Sequence, residues 1–295
     1  MEKISLDPKI ENFIKNIKSK KKLSKVEELS VKSIKNKVKN YKKIDLCINL
    51  CYNLCEKYRR NVIMFSLGHF IWLGIFAAII IAALILLKKY EISPILVGKI
   101  SMTIAIIGKL IHLGLSMIPS SDGGMVVSQT QLDFHLCSIQ VYLLVACHLV
   151  KNENTKNALK GFMAPTMAIG ALMALLIPTE GVDPSTPRVW QYMIIHANLV
   201  FYGFYLMLVE KIDMSVKTYK RNLISLFGFA MFALMMNSIL AQYNTNFLYL
   251  RKPPMDNLPV LNLDNGYFVY ILTLVMVAIA LLTIVHLPFM LKKKK

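Results

Sequence analysis

The stretch VIMFSLGHFIWLGIFAAIIIAALILL, Val62–Leu87, runs for 26 residues without an acid, a lysine or an arginine and ends against Lys88 and Lys89. About 20 such residues in a helix cross ~30 Å of hydrocarbon, and backbone polar groups in lipid are satisfied only within a helix or a closed barrel. The same reading recurs at Pro94–Ile118, Leu132–Val150, Leu159–Ile177, Trp190–Val209, Leu223–Tyr243 and Gly266–Leu287. Connections between these runs carry breakers such as Pro119, Gly123, Gly124, Pro178, Pro184, Pro187, Pro253 and Pro254. The sequence therefore predicts an all-α fold: one polytopic transmembrane helix bundle of about seven spans over residues 61–295, behind a basic extension over residues 1–60.

Composition excludes most soluble classes. Of 295 residues, 55% are hydrophobic and 18% charged, and many charges crowd into the first sixty positions. That tail carries 17 Lys and Arg against seven acids, and Ile10, Phe13, Ile14 and Ile17 recur at helical spacing. An amphipathic basic segment suits an anionic lipid surface, so the net charge of +18 points to membrane lipids as partners and away from nucleic acid. Cys47, Cys51 and Cys55 share a helical stripe just before the first span and read as packing or as acylation sites. Five cysteines without a paired framework predict no structural disulfide. With no phosphate loop, dinucleotide fingerprint or His-Glu-x-x-His zinc motif, neither a cofactor nor a metal is expected.

Loop charges divide the two membrane faces. Lysines and arginines follow the first, third, fifth and seventh spans, which marks those loops as cytoplasmic. The other face has no Lys or Arg between spans two and three, only Arg188 between four and five, and Arg251 with Lys252 between six and seven. The localisation predicted is integral, multi-pass and in the plasma membrane.

Polar side chains inside spans are costly and point to function. His69, His112, His135 and His196, with Asn237 and Gln242, come from five spans and fall at a shared depth, about 5 to 10 Å below the lysine-poor face at 1.5 Å per residue. Neutral imidazoles in a dry pocket act as acid or base near pH 7. The pattern predicts His135 and His196 as that pair, with His69, His112, Gln191 and Asn237 orienting them and Asp133 bonding beside His135. Cys137 is the nucleophile candidate, although i and i+2 positions do not share a helix face with His135. Each imidazole serves equally as a hydrogen bond between helices. His148 and His286 read as interfacial at the opposite end.

Several of these residues form an ordered set. Phe65-Ser66-x-x-His69, Leu132-x-x-His135-Leu136-Cys137-Ser138, Gly170-Ala171-Leu172-x-Ala174-Leu175-x-x-Pro178, Gln191 with His196, and Asn246-Phe247-Leu248-Tyr249-Leu250-Arg251-Lys252-Pro253 occur in that order. Over about Val62–Leu287 the chain resembles the bacterial YwaF-like integral membrane proteins, related to the eukaryotic transmembrane protein 164 family. The resemblance implies seven membrane helices and, by its eukaryotic branch, acyl transfer to ether phospholipids through a cysteine and a histidine. In that branch the cysteine immediately precedes the histidine aligned with His135, where this chain has Phe134. The expected function is lipid modification, acyl transfer or hydrolysis on phospholipids. A proton-coupled transporter or channel for a small solute and a non-catalytic membrane scaffold are the alternatives.

Overall fold

A computed structural model of the chain describes residues 66–119, 124–179, 181–183, 185–255, 258 and 260–291. The basic tail over residues 1–60 and its three cysteines lie outside the described residues. The first helix, α1 (Leu67–Lys89), begins where Ser66 Oγ accepts the His69 N–H at 3.3 Å, and it ends on Lys88 and Lys89, whose charges suit the negative end of a helix. Proline at the first turn starts α2 (Pro94–Leu115) and α5 (Pro187–Leu208). Between α2 and α5 come α3 (Leu136–Leu149) and α4 (Glu153–Leu176), the latter capped by Asn152, whose Oδ1 accepts the Thr155 N–H at 3.0 Å. The last two are α6 (Val216–Ile239), capped by Ser215, and α7 (Tyr267–Leu291).

Five of these helices, α1, α2, α4, α6 and α7, are long and apolar enough to cross a membrane. The other two fall short for different reasons. With 14 residues, α3 is about 21 Å long. The 22-residue α5 is more polar because protein covers it: it packs on α1, α2, α3 and α4, and His196 and Asn198 are among its buried residues. The sequence reading contained no strand, yet β1 (Met117–Pro119) and β2 (Met125–Val127) form an antiparallel hairpin between α2 and α3, with Ile118 opposite Val126. Pro119 cannot continue a helix, and the β-branched Ile118, Val126 and Val127 favour extended backbone.

The seam between α4 and α5 brings two backbones into direct contact. A Cβ built on Gly203 would lie 2.7 Å from the Ala164 carbonyl oxygen and 2.7 Å from the Ala168 nitrogen, so only glycine lets the backbones approach. Pro165 lies buried inside α4, next to Ala164, and has no N–H for the Gly161 carbonyl one turn back. Asn222 of α6 supplies the missing donor, Nδ2 to Gly161 O at 2.8 Å. The same Nδ2 reaches His286 Nε2 at 3.3 Å, while His286 Nδ1 meets the Met214 carbonyl at 3.3 Å. A carbonyl only accepts, so His286 is protonated on Nδ1 and accepts at Nε2. His286, near the end of α7, is wholly buried by protein, because it joins α7 to α6.

Beside this junction, in the loop before α6, burial alone would raise the Asp213 carboxyl. Hydroxyls of Thr218 and Ser215, the Ser215 N–H and the Arg221 charge outweigh it and hold the group below the usual carboxylate range.

Gly203→Ala should destabilise the detergent-solubilised chain by about 1–3 kcal/mol, the typical cost of overpacking. Gly228→Ala, whose Cβ meets nothing within 4 Å inside α6, should melt no lower than the parent, since alanine favours a helix interior over glycine by about 0.5–1 kcal/mol. Thermal unfolding followed by fluorescence-detected size exclusion measures both.

Candidate functional site

At the end of the bundle where α2 and α6 finish and α3, α5 and α7 begin, aromatic and imidazole rings gather. His135 was expected three residues into a helix, but it is the N-cap of α3 with extended backbone, φ −87° and ψ 149°. Its ring lies 5.7 Å from that of Phe247 and 5.4 Å from that of Tyr249. From α5, His196 brings Nδ1 to 2.6 Å from the Tyr192 carbonyl and its ring to 4.1 Å from the Tyr192 ring. The carbonyl accepts, so His196 carries its proton on Nδ1 and leaves a lone pair at Nε2. His112 of α2 hydrogen-bonds the Gln131 backbone and lies within electrostatic range of both His135 and His196, which also sense each other. Tyr192 is near Tyr249 and Cys137 and donates its hydroxyl to Ala174 O at 3.0 Å.

Charge surrounds this group on one side. Lys109 and Arg188 both act electrostatically on His112. Lys109 pairs with Asp133, which also accepts the Tyr142 hydroxyl, and Arg188 donates to the Leu115 carbonyl at the end of α2. Asp133, expected to bond beside His135, thus serves Lys109 and Tyr142. Among the described residues no three His, Cys, Asp or Glu side chains stand close enough to share a metal ion.

The wall opposite α5 is an irregular loop between α6 and α7. Asn244, Leu248 and Tyr249 have left-handed backbone, with φ of 55°, 53° and 57°, at a cost on the order of 1–2 kcal/mol each for non-glycine residues. Side chains hold this conformation. Buried Asn237 acts as a strand would, donating Nδ2 to Phe247 O at 3.0 Å and accepting Phe247 N–H at 2.8 Å. Asn246 Oδ1 accepts the Arg251 and Lys252 N–H groups at 3.0 and 3.2 Å. From α7, the Tyr267 hydroxyl donates to Leu250 O at 2.7 Å and the Tyr270 hydroxyl to Tyr249 O. The aromatic side chains of Phe247 and Tyr249 are thereby fixed against His135.

The remaining predicted residues bind helices together. His69, wholly buried, places Nε2 2.9 Å from Leu175 O and joins α1 to α4. Gln191 donates to Gly108 O at 3.0 Å, which joins α5 to α2 and uses the amide that was expected to orient His196. Cys137 packs against the main core beside Gly170, where a Cβ would lie 3.8 Å from Sγ. Gln242 is exposed. The sequence reading missed Tyr192 and Tyr249 as site residues. The Asn246–Pro253 motif was the available signal for Tyr249, whereas Tyr192 had none beyond standing one turn before His196.

A sequence model of the TMEM164 family matches residues 64–286, which takes in α1 through most of α7. No curated protein and no solved structure matches.

Asn237→Leu removes both side-chain bonds to Phe247 while keeping volume, and losing a buried hydrogen-bonding pair costs about 1–3 kcal/mol. Amide exchange across residues 244–252 should accelerate by roughly tenfold or more, by the same free energy, with α4 and α5 unchanged. Hydrogen–deuterium exchange of the purified chain reads this directly.

Proposed function

The chain belongs to the TMEM164 family, and from that membership we propose a seven-span integral protein of the plasma membrane that modifies phospholipids by acyl transfer or hydrolysis. One observation carries the reading: half-buried His112 and His135 and buried His196, from α2, α3 and α5, lie within electrostatic range of one another beside a strained aromatic loop that packs on His135. Local strain of this kind clusters at functional sites.

In the proposed reaction His196 Nε2 takes the proton of a lipid hydroxyl or of water as its oxygen attacks an acyl ester carbonyl. The proton held on His196 passes through neutral His135 to the departing oxygen when the tetrahedral centre collapses, so both imidazoles end the cycle neutral. His112, with Lys109 and Arg188 beside it, supplies positive potential for the oxyanion. His69, Gln191 and Asn237 act as positioning residues through the helix and loop contacts they make. No covalent acyl-cysteine is required. The packing of Cys137, on α3, against Gly170 of α4 argues for a core role in place of the nucleophile candidacy it had from the sequence, and the position the resemblance gives to a cysteine holds Phe134. The site would open on the face poor in lysine, opposite the cytoplasm.

Membranes from cells expressing the parent chain should show altered phospholipid and lysophospholipid species by lipidomics. The His135→Ala/His196→Ala double variant, at matched protein levels, should show none of the change, while Cys137→Ala should retain it. Identical profiles for parent and double variant would exclude lipid modification and favour solute transport.

A further inference from the structure

A second feature on the same end of the bundle is a pocket of about 420 Å³ lined by Leu234, Asn237, Ser238, Ala241, Arg251 and Tyr267. It lies between the end of α6, the strained loop and the start of α7. Arg251 is exposed, gives one guanidinium N–H to Thr245 O at 3.3 Å, and makes no ion pair among the described residues. An arginine has five donors in a planar fork, and this one lines the pocket with one donor placed on Thr245 O. Cations are scarce on this membrane face, where Arg188, Arg251 and Lys252 are the basic residues between spans. Retaining one at a pocket is thus unlike the general loop pattern.

Below the arginine the surface is apolar and continuous. Phe227, Met231, Leu234, Ser238 and Ala241 fall at i, i+4, i+7, i+11 and i+14, one stripe of the α6 surface, and Phe227, Met231 and Leu234 are exposed. A ligand fitting both parts has an anion at the membrane surface and a long apolar chain in the hydrocarbon. We propose that this groove holds a phospholipid, with its phosphate on Arg251 and an acyl chain along the Phe227–Met231–Leu234 stripe. Asn237 lines the groove and bonds Phe247, whose ring packs on His135, so two residues stand between the bound lipid and that imidazole. The inference rests on the lipid reading of that group only for the lipid's destination.

The test is native mass spectrometry of the delipidated full-length chain in detergent. Probes are phosphatidylcholine, diacylglycerol with the same chains, and glycerol 3-phosphate. A zwitterionic lipid keeps the basic tail from dominating. The parent should bind one phosphatidylcholine, with diacylglycerol and glycerol 3-phosphate each at least tenfold weaker. Arg251→Gln should weaken phosphatidylcholine tenfold or more, and Lys252→Gln should leave it unchanged. Leu234→Trp, which fills the groove and keeps the arginine, should give the same loss and covers the case in which Arg251→Gln does not fold. Equal binding by parent and Leu234→Trp overturns the proposal, as does diacylglycerol binding as tightly as phosphatidylcholine. Glycerol 3-phosphate binding equally well would make it an anion site without a lipid groove, which also overturns it. The His135→Ala/His196→Ala chain should bind phosphatidylcholine as the parent does, so the groove and the catalytic reading fail independently.

Discussion

The close approach of α4 and α5 at Gly203 is the contact on which the bundle depends. Lipid tails are as apolar as leucine, so helices in a membrane associate through packing and hydrogen bonds with little hydrophobic drive. Bringing Gly203 against the Ala164 and Ala168 backbone secures that packing and places α5 in the middle, ringed by α1, α2, α3 and α4. A helix in that position can carry Gln191, His196 and Asn198, because neighbouring backbone meets their polar groups. Two of them reach carbonyls of α2, Gln191 at Gly108 and Asn198 at Ser101. The polarity that removes α5 from the obvious membrane helices follows from its centrality.

The imidazoles use one device repeatedly. His69, His148, His196 and His286 each set a ring nitrogen against a main-chain carbonyl, of Leu175, Leu144, Tyr192 and Met214 respectively. Because the carbonyl accepts only, it fixes the tautomer and leaves the other nitrogen as an acceptor. In His286 that acceptor is filled by Asn222, and the ring becomes a strut. In His196 the ring stands among His112, His135 and Tyr192, so one binding mode yields a structural group at one end and a group suited to proton transfer at the other.

Hydrophobic runs made the helices legible, because Val62–Leu87 and Gly266–Leu287 have no other stable form in a bilayer. The hairpin and the true start of α3 were not legible. A run beginning at Leu132 carries no mark that backbone before Leu136 is extended. The shared depth of the histidines was visible from spacing along the spans, and His112, His135 and His196 lie within electrostatic range of one another, whereas His69 bonds Leu175 elsewhere in the bundle. Their partners were not visible, since Gln191 and Asp133 are drawn to Gly108 and Lys109 by a helix packing that no local pattern encodes. The buried state of His286 escaped notice for the same reason, as it depends on a donor vacancy created by Pro165 in another helix.

The shortness of α3 ties fold to site. Under the seven-span proposal, a helix of about 21 Å leaves roughly 9 Å of a ~30 Å hydrocarbon layer to be filled by something else at its N-terminal end. Non-helical backbone is tolerated at that depth only where protein buries it or where it lines a cavity. The 3-10 turn at Gln129–Gln131, the extended His135 and the loop around Phe247 and Tyr249 occupy that end. Their irregular backbone needs side-chain partners, and it finds them in Asn237, Tyr267 and Tyr270 for the loop and in His112 at Gln131. Polar residues are therefore drawn to this place by the backbone's own demand. The catalytic reading asks only that the same residues, once gathered, leave His135 and His196 in reach of a lipid.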